Sequence, residues 1–466
     1  MTLYPTDVKL FFRSMNQIKP LILPTLLIFC LIMMSSCSED PNPYQPEPYV
    51  KLDHPEWSKN ATIYQINTRQ FTKEGTFNAA EEHLPRLQDL GVDIIWLMPI
   101  HEIGEKNRKG SMGSYYSVKD YKSVNPEFGT EEDFRKLVER AHELGMYVIL
   151  DWVANHSAWD NPWIESNPEF YQTDSTGKMV SPYDWTDVAA FDYENEELRK
   201  RMISALKYWV SKFNIDGYRC DVAYMVPTTF WDSARMELDA IKPVYMLAEA
   251  ETPELHEKAF DIGYTWDFHH AMNACAQENG AISHLTAAFE KRQSSFAETD
   301  GLYFITNHDE NSWSGTVFER LGDAHLAYAT LIFTLDGMPL LYSGQEAGLN
   351  KRLAFFEKDT ISWDSLPYET FYTQLATLKE EHPALWHGAE AGEHAFVEVE
   401  TPSVLAYTRT KGDDQVAVYI NFGEEEQSLD ASQFQEYKDA FEAKYGQMEN
   451  GQLTLPAFGF VVLEKQ

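Results

Sequence analysis

Short apolar runs alternate with stretches in which apolar residues recur every three to four positions, and the alternation persists from about residue 61 to about residue 384. Residues 61–66 (ATIYQI) are strand-like, 92–99 (VDIIWLMP) form a continuous apolar run of the kind shown by a strand buried on both faces, and 146–153 (MYVILDWV) read as the next strand. Between them, Asn78 with Glu81 is expected to open a helix that closes at Gly91. Thr130 with Asp133 forms a capping-box pattern before a helix closing at Gly145. Leu198, Met202, Leu206, Trp209 and Phe213 fall on one face of a further helix, which runs into the strand-like stretch 215–222 (IDGYRCDV). Runs at 244–250, 262–266, 302–306 and 338–342 complete a set of eight. Eight alternating strand and helix units predict an α/β fold, a closed (β/α)8 TIM barrel over residues 53–384 with an insertion at about 157–190 after the third strand.

From about residue 385 the period changes. The runs VLAYTRT, QVAVYINF and GFVVLE, separated by turns, predict a C-terminal antiparallel β-sandwich domain over 385–466. At the other end, Lys9, Arg13 and Lys19 precede an apolar run from 21 to 34 and then Ser35, Ser36 and Cys37, the layout of a signal peptide over 1–36. Cys37 after two serines is similar to the lipidated cysteine of bacterial lipoproteins, although Met34 stands where Leu is usual. Residues 37–52, with Pro41, Pro43, Pro46 and Pro48 among acids, describe a stiff solvated tether. The expected location is therefore the bacterial cell envelope, at the outer membrane or cell surface, with the membrane touched only through the lipid on Cys37.

Charge and cysteine content narrow the chemistry. With 38 basic against 73 acidic residues, a formal net charge of −35 and no basic block, nucleic acid and anionic lipid are poor partners and a neutral substrate fits better. Beyond the signal and lipidation cysteines only Cys220 and Cys275 remain, too few to staple a body of this size.

In a barrel of this kind the chemistry sits at the carboxyl ends of the strands. Those ends carry Asp151 to His156 (DWVANH), Arg219 with Asp221, Glu249 with Glu251, and Asn307-His308-Asp309. Arg219 and Asp221 are two apart on a strand and share a face, so the guanidinium is placed to keep the carboxylate ionised. Cys220 between them points the other way, into packing. No metal-spaced Cys/His cluster, nucleotide-binding glycine loop or serine nucleophile elbow is present. Paired carboxylates in that setting suggest cleavage of a glycosidic bond.

The motifs DWVANH (151–156), GYRCDV (217–222), LAEA (247–250) and FITNHD (304–309) resemble, in order, the four signature regions of the α-amylase family, glycoside hydrolase family 13. The run ending at Pro99 and GMPLLYSGQE (337–346) resemble two further family regions, so the resemblance covers nearly the whole mature chain. It implies a retaining glycosidase acting on α-glucosidic, mainly α-1,4, bonds of malto-oligosaccharides or related α-glucans. Asp221 would be the nucleophile, Glu249 the acid and then the base, and Asp309 the group that grips sugar hydroxyls and stabilises the transition state. Arg219 would hold Asp221, His156 and His308 would hydrogen-bond the same sugar, and Tyr116 would stack under it. Glu251 shares the face of Glu249, and the family register favours Glu249. Retention implies carboxyls about 5 to 5.5 Å apart. Transglycosylases and isomerases of the family use the same three acids, and outside enzymology the alternative is a noncatalytic α-glucan-capturing surface lipoprotein.

Departures from the family pattern bear on substrate and metal. Tyr224 and Met225 stand where starch-acting relatives often carry Lys-His, which points to short oligosaccharides, and Ser117 replaces an acid near Tyr116. No cofactor is required. The calcium common in relatives is doubtful, because Asn155 is present but Ala190 occupies the acidic position. Trp159, Trp163, Phe170, Tyr171, Tyr183 and Trp185 make the insertion aromatic, equally suited to wall a sugar cleft or to form a small core.

Overall fold

The computed structural model describes residues 52–295 and 300–465; the expected signal peptide, Cys37 and all but the last residue of the expected tether lie outside the described residues. Eight parallel strands, β1 (Ile63–Ile66), β2 (Ile94–Leu97), β3 (Tyr147–Trp152), β4 (Gly217–Cys220), β5 (Tyr245–Ala248), β6 (Ile262–Tyr264), β7 (Asp300–Phe304) and β8 (Met338–Tyr342), close in chain order, β8 pairing back onto β1. All eight expected strands are present. Their near-unbroken apolar character follows from burial on both faces. Ile63, Trp96, Ile149, Leu247, Tyr264 and Phe304 fill the barrel, while Tyr64, Ile95, Val148, Tyr218, Cys220 and Met246 pack outward in the main core. Gly217 is required at the start of β4, since a Cβ there would lie 1.8 Å from the carbonyl oxygen of Tyr245 on the neighbouring strand.

Three helices show how local sequence sets the frame. Helix α1 (Glu131–Glu143) begins with the expected reciprocal capping box between Thr130 and Asp133. Helix α2 (Glu196–Phe213) buries Leu198, Met202, Leu206, Trp209 and Phe213, is capped by Asn195, and ends where Asn214 turns left-handed. It delivers the chain directly into β4. Helix α3 (Glu369–Glu381) leads to the C-terminal domain. The helix expected to open at Asn78 is instead capped by Thr76 and broken in two, Phe77–Glu81 and Leu84–Asp89. Pro85 sits in the first turn of the second piece, where its missing N–H ends a continuous ladder.

The insertion after β3 is framed by His156–Ala158 pairing antiparallel with Val188–Ala190. A second excursion, after β2, was not foreseen: His101–Ile103 pairs with Val118–Val124. Beyond α3, five strands, β9 (Glu393–Phe396), β10 (Val404–Lys411), β11 (Asp414–Asn421), β13 (Lys438–Asp439) and β16 (Phe460–Glu464), make one sheet. Strands β12 (Gln427–Asp430), β14 (Gln447–Glu449) and β15 (Gln452–Leu455) make a second. Val404, Ala417, Tyr419 and Val461 of the first meet Leu453 and Leu455 of the second, forming a sandwich core. The boundary expected at 384 falls inside the short turn Pro383–Leu385. Among the described residues no helix is long and apolar enough to cross a membrane.

Barrel and sandwich are joined by a titratable contact. His382, just past α3, lies 2.8 Å from Asp414 Oδ1 and 3.5 Å from Glu464 Oε1. Hydrogen bonds to Glu464 and Asp414 raise its imidazole to about 9. Because this value lies above that of the unfolded chain, the pairing contributes fully below about pH 6.5 and is lost as the pH rises through about 9. Thermal melts of His382→Gln against the parent are expected to differ most at pH 6, by roughly 1 kcal/mol after allowance for solvent screening, and to converge by about pH 10. A gap that does not change with pH would contradict this account.

Candidate active site

The polar residues at the carboxyl ends of β3, β4, β5 and β7 meet around one guanidinium. Asp151 on β3 is directly opposite Arg219 on β4 in the sheet register. Arg219 is fully buried; its Nη1 lies 2.9 Å from Asp151 Oδ1 and 3.0 Å from Asp221 Oδ1. Its Nη2 lies 2.9 Å from Glu249 Oε2, an ion pair outside hydrogen-bond alignment. Trp96, Tyr264 and Tyr116 surround the cation at 5.2, 5.4 and 5.9 Å from their ring centres. Immediately after Asp221 the backbone turns left-handed at Val222 (φ 38°), an unusual conformation for a β-branched residue. The turn aims the Val222 N–H at Glu249 Oε2, 2.8 Å away.

Above this hub lies a cavity of about 410 Å³ lined by Tyr116, His156, Asp221, Glu249, His308 and Asp309, six of the seven expected catalytic and substrate-binding residues. Arg219, the seventh, sits beneath. Glu251 is turned away, its carboxylate accepting from the N–H of Asp267, and so separates from Glu249. Of the insertion aromatics, Trp185 lines the cavity, whereas Phe170 and Tyr171 are buried in the core; the segment therefore serves both purposes. Cys220 packs outward as expected.

The cavity wall is a hydrogen-bonded chain. Gln65 Nε2 donates to His308 Nδ1 at 2.7 Å, which assigns the proton of a neutral His308 to Nε2. That nitrogen lies 2.8 Å from the Tyr116 hydroxyl, which donates to Asp151 Oδ2 at 3.0 Å. Trp96 Nε1 donates to the same oxygen at 3.2 Å. Burial lowers both His156 and His308 to about 3, so both are uncharged at neutral pH, suited to exchanging hydrogen bonds with neutral hydroxyls. Asn155 Nδ2 donates to His156 Nδ1 at 3.1 Å. Desolvation pushes Asp151 up to about 6 against the pull of Arg219, and likewise Asp309 up to about 6. It pushes Asp221 up as well, opposed by Arg219 and reinforced by Glu249 and Asp151. Carboxyls sharing one cation in this way titrate as a set, and the set retains a proton further toward neutral pH than separate surface carboxylates would.

Four contributors escaped the sequence reading of the site. Asp151 was legible, as the first residue of DWVANH two positions after an inward-facing Ile149, yet received no role of its own. Gln65 gives no signal beyond its place in β1. Trp313 and Phe355, which line the cavity from loops following β7 and β8, are brought there by tertiary structure alone.

The profile described as the α-amylase catalytic domain matches residues 55–400, and that of the maltogenic amylase C-terminal domain matches residues 395–462. The chain belongs to the α-amylase family. Among its relatives, the α-amylase MalA of Haloarcula japonica is 30% identical over 399 residues, covering 80% of this chain and 57% of the relative. The chain thus spans little more than half the length of that protein. In solved structures it is similar to an α-amylase from Lactobacillus plantarum (30% identity, TM-score 0.80, covering 88% of this chain and 100% of that one). It is also similar to the noncanonic maltogenic α-amylase AmyB from Thermotoga neapolitana (30% identity, TM-score 0.79, covering 88% and 99%).

The calcium that α-amylase relatives often hold near Asn155 does not fit the residues present here. Tyr121 OH lies 2.8 Å from the carbonyl of Val153 and 2.6 Å from that of His156. Tyr193 OH donates to Ala154 O at 2.8 Å, and the Phe191 N–H to Asn155 O at 3.1 Å. Four successive carbonyls thus face protein donors, the single Tyr121 proton serving Val153 and His156 between them, the Asn155 amide is engaged with His156, and Ala190 offers no side-chain oxygen. Among the described residues no group of three or more His, Cys, Asp or Glu is placed to hold a metal.

Because the Asp151 charge raises the Asp221 carboxyl, removing it lets Arg219 act more fully on Asp221 and moves that titration down. For Asp151→Asn, the acidic limb of the kcat/KM profile on the enzyme's best glucan is expected to shift to lower pH by roughly half a unit or more. An unmoved or rising limb would remove Asp151 from the electrostatics of the site.

Proposed function

We propose that this protein is a retaining glycoside hydrolase that cleaves α-glucosidic, mainly α-1,4, bonds in malto-oligosaccharides or related short α-glucans. The observation that carries the reading is the placement of Asp221 and Glu249 on adjacent nitrogens of one buried guanidinium, facing a cavity that Asp309 and two uncharged imidazoles also line. Two carboxyls so close support double displacement; an inverting enzyme needs a wider gap to seat its water.

In the first step a protonated Glu249 gives its proton to the glycosidic oxygen while Asp221 attacks the anomeric carbon from the opposite side. The bond to the leaving sugar breaks and an ester to Asp221 forms. Glu249, now anionic, takes a proton from water as the water oxygen displaces Asp221, and the two inversions restore the α-anomer. Arg219 neutralises the carboxylates between steps, and Asp309, His308 and His156 hold the hydroxyls of the reacting sugar. The matched maltogenic amylase C-terminal domain supports α-glucans as the substrate class. A second reading, transfer of the glycosyl unit to another sugar, uses the same ester and differs only in the acceptor.

The test is product analysis by NMR on maltoheptaose, pullulan, cyclodextrin and starch, with Asp221→Asn alongside. The expected result is α-anomeric product at first appearance and a loss of roughly 10⁴-fold or more in the variant. Binding of these glucans with no product released would leave a capture protein in place of an enzyme.

A further inference from the structure

Beside the cavity, on the side of Val222 and Glu249, two large tyrosines stand in the open. Tyr183 is 70% exposed and Tyr224 55% exposed. They come from separate loops, Tyr183 from the insertion after β3 and Tyr224 from the single turn Ala223–Met225 that follows Asp221 and Val222. Their hydroxyls are neighbours, and the charges of Glu249 and Asp221 reach the Tyr224 hydroxyl. Tyr183 is held in the left-handed region (φ 49°), a conformation that costs energy for a bulky side chain. Its ring lies 5.4 Å from that of Trp185, which in turn packs 5.4 Å edge-on to His156. Trp185 is a cavity wall. A single exposed tyrosine needs no explanation. A strained one, beside a second at the mouth of the cavity and continuous with its wall, calls for one.

We propose that Tyr183 and Tyr224 form an aromatic bracket that binds a glucosyl unit on the leaving-group side of the cleavage point, and so set the preference for sugar-bearing leaving groups and sugar acceptors. The inference rests on the glycosidase reading above. Glu249 delivers its proton to the leaving oxygen, and Tyr224 lies two residues beyond Val222, whose N–H holds Glu249, so the bracket adjoins the departing sugar. Glucose presents flat C–H faces that bury the exposed rings, and each ring has few rotatable bonds to freeze. After the leaving sugar departs, the same bracket can seat an acceptor. Its hydroxyl oxygen then bonds the anomeric carbon as the bond to Asp221 breaks, and the hydroxyl proton passes to Glu249.

The experiment compares two substrates with the same donor sugar, maltotetraose and α-maltosyl fluoride. Fluoride is too small to touch the rings, so its turnover is the internal reference. In Tyr224→Ala and Tyr183→Ala, kcat/KM for maltotetraose is expected to fall about tenfold further than for the fluoride. With maltose added, the share of transfer products from the fluoride is expected to fall as well. Tyr183→Phe and Tyr224→Phe keep the rings and should recover most of both losses. Equal falls on the two substrates, or none on either, would overturn the bracket while leaving the glycosidase intact. A parent enzyme inert toward α-maltosyl fluoride would overturn the glycosidase reading and the bracket with it.

Discussion

Everything at the rim of this barrel depends on one buried cation. Arg219 lies beneath the cavity with no solvent exposure, and Asp151, Asp221 and Glu249 crowd it within 3.0 Å. Burying a lone guanidinium is prohibitive, and removing one partner of a buried pair typically costs about 3–5 kcal/mol. The charge is therefore retained only because several acids from different strands converge on it. Convergence is a property of the closed parallel sheet, since β3 and β4 are in register with Asp151 beside Arg219. The barrel makes the hub possible, and the hub fixes the positions of the two carboxyls on which the proposed chemistry turns.

The same crowding divides labour among the acids. Three carboxylates against one cation leave excess negative charge in a water-poor site, and desolvation favours retaining a proton. A retaining glycosidase needs that condition, one acid able to give a proton while its neighbour attacks as an anion. Beside the acids stand neutral polar groups, and the Lys109 that also lines the cavity is paired with Asp187. Burial keeps both histidines uncharged; the chain from Gln65 through His308 and Tyr116 to Asp151 orients the proton of His308, and Asn155 orients that of His156. A neutral, hydroxyl-rich ligand suits such a wall better than an ionic one.

Much of this could be read from the residues. Strand-like apolar runs gave all eight strands, and the Arg-x-Asp pair at 219 and 221 shares one side of the chain, Asp221 lining the cavity and Arg219 holding it from beneath. Glu249 and Glu251, equivalent by alternation, separate in three dimensions because the chain leaves β5 at Ala248 and Glu251 turns toward the start of the next helix. What was not legible arises from long-range contacts. The break at Pro85, the hairpin after β2 and the arrival of Trp313 and Phe355 at the cavity depend on packing between segments far apart in the chain. The six aromatics of the insertion were ambiguous for a physical reason: a ring that fills a core and a ring that walls a sugar site have the same local sequence, and this segment contains both.

The central claim is that Asp221, held by Arg219, forms a covalent bond to the sugar. The most direct test is to trap that ester with 5-fluoro-α-glucosyl fluoride, whose ring fluorine slows the breakdown of the intermediate, and to locate the added mass by peptide mass spectrometry. The account predicts one glycosyl unit per chain on the peptide containing Asp221, and none in Asp221→Asn. A label on Glu249 or Asp309, or steady turnover with no trapped ester, would contradict it.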